Sequence, residues 1–286
     1  MIGESTSFNE SLSAHSHHLA HSKNLTWLNS IVTSFPEDII WNIINEVKDR
    51  TTLKNLAIVS RAFLFYCQRR LFEYVHLSPY EQHCRNLNAI LASRPHLRSY
   101  IRRLRLVEGI VRLKGGNYVT WFNRDPLLPP LLMMLSDLQS LYLSEFSWET
   151  LNPVLQSSLL QLLRLPSLIK LELDRAIVPP CLFPHSFQLE ELRLPAYHDG
   201  LARITIPDDI PQGVIRPRTL AVSSKLVSMS GVPREIDLSC IRKLILIDNV
   251  ALSKHETVRP LVKACLALDH FIWHTSMHSG EPDHHA

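Results

Sequence analysis

The sequence predicts an α/β protein, three short helices followed by an irregular stack in which short strands alternate with helices. Three observations predict it. Between residues 35 and 77, apolar side chains recur at spacings of three and four, the period of a helix. From residue 101 onward a spacing Leu-x-x-Leu-x-Leu returns repeatedly along the chain. Between several of its copies lie stretches with a helical pattern, at 129–136, 153–164 and 257–267.

The first helix opens at Pro36, a residue suited to the first helical position because its missing N–H would be unpaired there anyway. Ser34 is a candidate cap, and Glu37 and Asp38 put negative charge in the first turn, where the helix dipole favours it. Ile39, Ile40, Ile43, Ile44 and Val47 then form one apolar stripe. Lys48-Asp49-Arg50 ends it, and Thr51 or Thr52 can cap a second helix carrying Leu53, Leu56, Ala57 and Val59. A third run places Ala62, Phe63, Phe65, Tyr66, Leu71 and Phe72 on its apolar positions. Three helices of this length enclose too little volume to bury so many large side chains. Part of that surface must be covered by something else; the neighbouring part of the chain could cover one side and a separate protein the other.

The run Phe35-Pro36-x-Asp38-Ile39-Ile40, then Leu53-x-x-Leu56-x-x-Val59-Ser60-Arg61-x-Phe63, then Arg70-Leu71-Phe72, resembles an F-box. With Cys67 to Phe72 closing it, the module is most similar to the fungal form. Phe35-Pro36 stands where Leu-Pro is usual, Trp41 is a further departure, and Val47-Lys48-Asp49 replaces a second Leu-Pro before the second helix. The resemblance implies docking onto the Skp-family adaptor of a cullin-RING ubiquitin ligase. The side chains it implies for adaptor binding are Phe35, Pro36, Ile39, Ile43, Leu53, Leu56, Val59 and Phe72.

After Leu77 the pattern changes. Ser78-Pro79 starts a helix running to about Ser93, with Leu87, Ile90 and Leu91 on one face, and Arg94-Pro95 breaks it. Ile101-x-x-Leu104-x-Leu106 is then echoed at Leu138-x-x-Leu141-x-Leu143, Leu168-x-x-Leu171-x-Leu173, Leu189-x-x-Leu192-x-Leu194 and Ile241-x-x-Leu244-x-Leu246. Looser copies fall at Leu268-x-x-Phe271-x-Trp273 and around Leu220-x-Val222. Strand side chains alternate, so Leu104 and Leu106 face inward while Arg105 faces out. One strand with one helix cannot hide its own leucines, and stacking the next unit on it does. A short strand after a helix, repeated, reads as a leucine-rich repeat solenoid. The irregularity is similar to that of fungal F-box proteins with degenerate leucine-rich repeats. The asparagine that usually follows the last leucine is absent, so the arc is expected to be uneven.

The outward residues form a candidate face for a target protein: Arg103, Arg105, Ser140, Tyr142, Lys170, Glu172, Asp174, Glu191, Arg193, Lys243, Ile245, His270, Ile272 and His274. Arg103, Arg105, Tyr142, Glu172 and Arg193 are its candidate contacts, since Arg and Tyr are frequent binding anchors.

Composition narrows the function classes. The 286 residues are 45% hydrophobic and 20% charged, the balance of a folded chain. Thirty basic against 27 acidic residues leave a net charge of +3, which makes no electrostatic case for nucleic acid. Five scattered cysteines with no Cys-x-x-Cys suggest neither a disulfide framework nor a thiolate zinc site, so a cytoplasmic or nuclear protein is expected. The N-terminus lacks the basic start and apolar core of a signal peptide, and the most apolar window, 127–135, is broken by Pro129-Pro130. His15, His17, His18 and His21 read as a solvated tail without a metal ion. Gly-x-Ser-x-Gly, Walker, dinucleotide and His-Glu-x-x-His motifs are absent. The expected organisation is a disordered tail at 1–30, the F-box at 31–77, the repeat region at 78–275 and a flexible tail at 276–286. A non-enzymatic substrate receptor with no cofactor is the leading expectation. Its rivals are a repeat scaffold without a ligase partner, and an α/β enzyme with a deep pocket holding a perturbed acid or base.

Overall fold

The computed structural model describes residues 36–79, 83–112, 118–179, 182, 188–196, 214–223, 227, 232, 235–248 and 255–275. The expected tails at 1–30 and 276–286, with Ser34 and the four N-terminal histidines, lie outside them. The chain divides between Glu73 and Tyr74 into two compact units.

The first unit contains helices α1 (Glu37–Glu46), α2 (Arg50–Val59) and α3 (Arg61–Phe72). The Pro36 carbonyl starts α1 by accepting from the N–H groups of Ile39 and Ile40, at 3.1 and 3.2 Å. The cap of α2 is Asp49, not the expected Thr51 or Thr52. Its carboxylate accepts from the Thr52 N–H at 2.6 Å and the Thr52 hydroxyl at 2.8 Å. Both threonines sit inside the helix, where a donor is what the cap needs. Ser60 ends α2 and also caps α3, accepting from the Ala62 N–H at 3.3 Å. Near the end of α3, the Arg50 guanidinium donates to the Leu71 carbonyl. The core of this unit is small: Ile40, Ile44, Leu53 and Cys67 are buried, with Leu56, Phe63, Tyr66 and Leu71 packed against them.

The second unit begins with β1 (Tyr74–Leu77), α4 (His83–Ser93) and a 3-10 turn, Pro95–Tyr100. There follow β2 (Arg103–Val107), β3 (Ile110–Arg112), β4 (Tyr118–Thr120), α5 (Trp121–Arg124), α6 (Leu128–Met133) and β5 (Ser140–Ser144). After these come α7 (Pro153–Leu163), β6 (Lys170–Asp174), β7 (Glu191–Ala196), β8 (Thr219–Ser223), β9 (Lys243–Asp248), α8 (His255–Ala264) and β10 (His270–Thr275). Among the described residues, eight strands form one sheet in the order β1-β2-β5-β6-β7-β8-β9-β10, all pairs parallel. This is an α/β architecture in which each new strand is laid beside the one before.

The recurring leucine spacing produces that order. Leu104, Leu141, Leu171, Leu192, Leu220 and Leu244 stand in register across the sheet, and Leu106, Leu143, Leu194, Val222 and Leu246 are buried with them. The strands also start alike. The Arg102 carbonyl accepts from the N–H groups of both Gln139 and Ser140, and the Gln139 carbonyl from Ile169 and Lys170. The carbonyls of Ile169, Glu190, Arg218 and Arg242 repeat the pattern along the sheet. At the far ends of β5 and β6, Glu145 and Arg175 turn the chain in the left-handed region, with φ of 64° and 49°. That region costs a non-glycine residue about 1–2 kcal/mol. The two side chains form an ion pair across the corner at 2.5 Å.

Four features differ from the sequence expectation. The helix expected to start at Ser78-Pro79 runs from His83 to Ser93, with Pro79 in a turn. Tyr74–Leu77, assigned to the helical module, is the first strand of the sheet, because Val75 and Leu77 pair in register with Leu104 and Leu106. The antiparallel β3–β4 hairpin, which no leucine spacing announces, fills the long interval between Leu104 and Leu141. The last helix ends at Ala264 instead of continuing to 267, and Leu266 is exposed. On β10, Phe271 holds an inward position of the spacing yet is 45% exposed, since no described strand stacks beyond it.

Asn152 caps α7 by accepting from the Leu155 N–H at 2.8 Å, and Pro153 follows at the first helical position. Asn152→Ala is expected to lower stability by about 1 kcal/mol in urea unfolding, the usual worth of such a cap.

Candidate protein-interaction surfaces

On α1 the five-residue apolar stripe splits. Ile40 and Ile44, four apart, point into the unit, while Ile39 and Ile43, also four apart, are 40% and 44% exposed. Successive helical residues lie about 100° apart around the axis, so adjacent isoleucines cannot both face one neighbour. On α3 Leu64 and Phe65 are exposed, and on α2 Ile58 is 83% exposed. Trp41 is half-buried, with the Tyr66 ring 6.0 Å away and the Arg69 guanidinium 4.8 Å from its centroid.

The residues implied for adaptor binding therefore separate. Pro36, Ile39 and Ile43 are exposed, and Val59 and Phe72 are half-buried. Leu53 is a core residue of the helical unit, and Leu56 packs against that core, so neither offers its side chain as free surface. Phe35 lies outside the described residues. Ile58 and Leu64 went unnoticed in sequence because the stripe alone does not say which of its edges a neighbour covers.

On the sheet, the alternation places the expected residues in rows. Arg105, Tyr142, Glu172 and Arg193 occupy one row across β2, β5, β6 and β7, all half-buried. Arg103 is exposed in the neighbouring row with Ser140, Lys170 and Glu191. The Arg105 guanidinium lies over the Tyr142 ring, 4.3 Å from its centroid. The Tyr142 hydroxyl in turn donates to Asp174 at 2.9 Å. Burial pushes the Tyr142 phenol above its usual range. Lys170 and Arg193 both bond to Glu191, the former at 3.2 Å. Burial works against that carboxylate, but the two cations outweigh it and hold the pKa below the usual value. Glu172 receives neither bond. Burial raises its pKa, helped by the charges of Glu191 and Asp174 and opposed by Arg193 and Lys170.

Farther along, the expected outward face closes. Ile245 is buried, as are Ala221 and Ser223 on β8, so β8 and β9 are covered on both sides. His270 and His274 on β10 are exposed.

Among the described residues, one carboxyl side chain is fully buried. Glu108, just after β2, is 4% exposed and its Oε1 has no hydrogen-bond partner among the described residues. The neighbouring Gly109 is needed there, because a side chain would run into the Pro79 ring. Burial pushes the Glu108 carboxyl up to about 7, with a Thr120 hydrogen bond opposing it. A folded-state value raised above the unfolded one means the folded chain holds the proton more tightly. Stability should then fall as pH rises from about 4.5 to about 7 and level off above. Glu108→Gln is expected to match the parent at pH 4 and exceed its urea midpoint at pH 8.

Buried thiols are similarly quiescent: burial pushes Cys67 up to about 11 and Cys84 up to about 12, the latter beside Asp125. Among the described residues, no group of three His, Cys, Asp or Glu side chains is placed to hold a metal ion. No described helix is long and apolar enough to cross a membrane. An apolar gap of about 10 Å³ under β5 and β6, lined by Phe146, Trp148, Leu159 and Leu171, has room for little more than a water molecule. No family model matches the chain, and neither does any curated protein.

Proposed function

We propose that this chain is the substrate-receptor subunit of a Skp–cullin–F-box type ubiquitin ligase. In this reading the three-helix unit is an F-box that binds the Skp-family adaptor, and the eight-stranded unit is a leucine-rich repeat-like solenoid that holds a target protein. The observation that carries it is the division of α1: after Ile40 and Ile44 are buried, Ile39 and Ile43 remain 40% and 44% exposed, and α2 and α3 expose Ile58, Leu64 and Phe65. Covering the apolar surface these side chains still expose is favourable by about 25 cal/mol per Å², and surface of this kind is what a protein contact buries. The motif order from Pro36 to Phe72 supports an adaptor as the occupant.

The mechanism is proximity. Two binding surfaces on one chain raise the local concentration of the target near a ubiquitin-loaded enzyme, and no bond is made or broken by the receptor itself. A contact of ordinary size, about 1,600 Å² in total, would concentrate its energy in a few apolar anchors. The test is reconstitution. Mixed with a purified Skp-family adaptor, the chain is expected to elute as a one-to-one complex and to titrate with a measurable heat. Separate elution at micromolar concentrations overturns the reading.

A further inference from the structure

The sheet face carries two charges of opposite sign that the protein leaves unpaired. Among the described residues, Arg105 makes no hydrogen bond and no ion pair; its one partner is the ring of Tyr142, and its buried Nε is without an acceptor. Glu172, on the other side of Tyr142 in the same row, accepts no hydrogen bond and has no ion-pair partner among the described residues, although Lys170 and Arg193 stand beside it. Those two cations are both engaged by Glu191. Tyr142 is itself held, its hydroxyl bonded to Asp174. Arg105 is thus stacked on a fixed ring with its donors free, and Glu172 is half-buried with its acceptors free.

We propose that Arg105 and Glu172 form a bipolar recognition pair for a segment of the target protein, a carboxylate of that segment meeting Arg105 and an ammonium or guanidinium meeting Glu172. Charge complementarity selects this occupant. Hydrogen bonds to ionised groups are the stronger kind, and a half-buried charge without a partner gains most from receiving one. The two residues are two strands apart, so the complementary charges on the segment should be about 10 Å apart, the rise of two turns of helix. The order of signs also sets direction, because the reversed segment would put like charges together.

The inference rests on the reading that this face receives a target protein, and it does not depend on adaptor binding. The probe is a random-peptide display library panned on the full chain, with Arg105→Gln and Glu172→Gln panned in parallel. The parent is expected to select peptides that carry an acidic and a basic residue at a preferred spacing. Glu172→Gln should lose the basic preference alone, and Arg105→Gln the acidic preference alone. Affinity for a parent-selected peptide should drop about tenfold in either variant. Equal unfolding midpoints of the three proteins show that the sheet is intact. Selection of one sign only by the parent, or the same peptides from all three proteins, overturns the proposal. Adaptor elution, measured on the same proteins, separates failure here from failure of the receptor reading: complex formed but no charge pair selected sinks only the recognition pair.

Discussion

Replacing Leu192 with alanine is expected to cost about 2–5 kcal/mol, the range for truncating a fully buried leucine. Leu192 is fully buried on β7 and stands between Leu171 on β6 and Leu220 on β8. Both neighbours are leucines of the same size and are buried as well. The void cannot be filled by a rotamer change, because each adjacent leucine is already held by the strand beyond it. A transfer term and a cavity term therefore add. In a sheet assembled strand by strand, weakening a middle contact also weakens the cooperation between the parts on either side. Leu266→Ala is the control. That side chain is 81% exposed after α8, and its loss should fall within about 0.5 kcal/mol. Urea unfolding of the two variants checks the contrast, and a Leu192→Ala midpoint equal to the parent's would contradict the packing described.

The second large effect is on binding. Ile39→Asp combined with Ile43→Asp is expected to abolish capture of a Skp-family adaptor, a loss of more than about a hundredfold, while leaving the unfolding midpoint nearly unchanged. The two side chains are 40% and 44% exposed in the free chain, so carboxylates placed there reach water. In a complex they would be buried without partners, and an unpaired charge at an interface centre costs several kcal/mol. Leu53→Asp provides the comparison. Because Leu53 is in the core with Ile40, Ile44 and Cys67, its replacement should remove binding by unfolding the helices. Capture that survives the double substitution would show that the exposed face of α1 is not the contact.

The strands were legible because Leu-x-x-Leu-x-Leu is a local signal: alternation within one strand puts its two leucines on one side whatever comes next. All the copies from Ile101 to Trp273 are strands, in the expected order along the sheet. Tyr74–Leu77 was not legible, since a four-residue strand carries no spacing of its own and exists only because β2 pairs with it. The β3–β4 hairpin escaped for the opposite reason, being an insertion that the repeated spacing passes over. At the sites, the alternation was enough to place Arg105, Tyr142, Glu172 and Arg193 on one face. It gave no hint that Ile245, on the same face, would be covered.

By itself, then, the sequence determined the three helices of the first unit, the strands that carry the leucine spacing and which of their residues point toward the leucine layer, because all follow from periodicities of a few residues. Tertiary structure alone decided which of Ile39 or Ile40, and of Ile43 or Ile44, meets water. An apolar stripe on a helix is wider than the contact one neighbour makes, and the position of α3 settles which half is hidden. The same holds on the sheet. Lys170 and Arg193 could have served either carboxylate. The strand register brings Lys170 opposite Glu191 and Arg193 opposite Glu172. Yet Arg193 turns to Glu191, two residues away on its own strand, so Glu191 holds both cations and Glu172 bonds to neither.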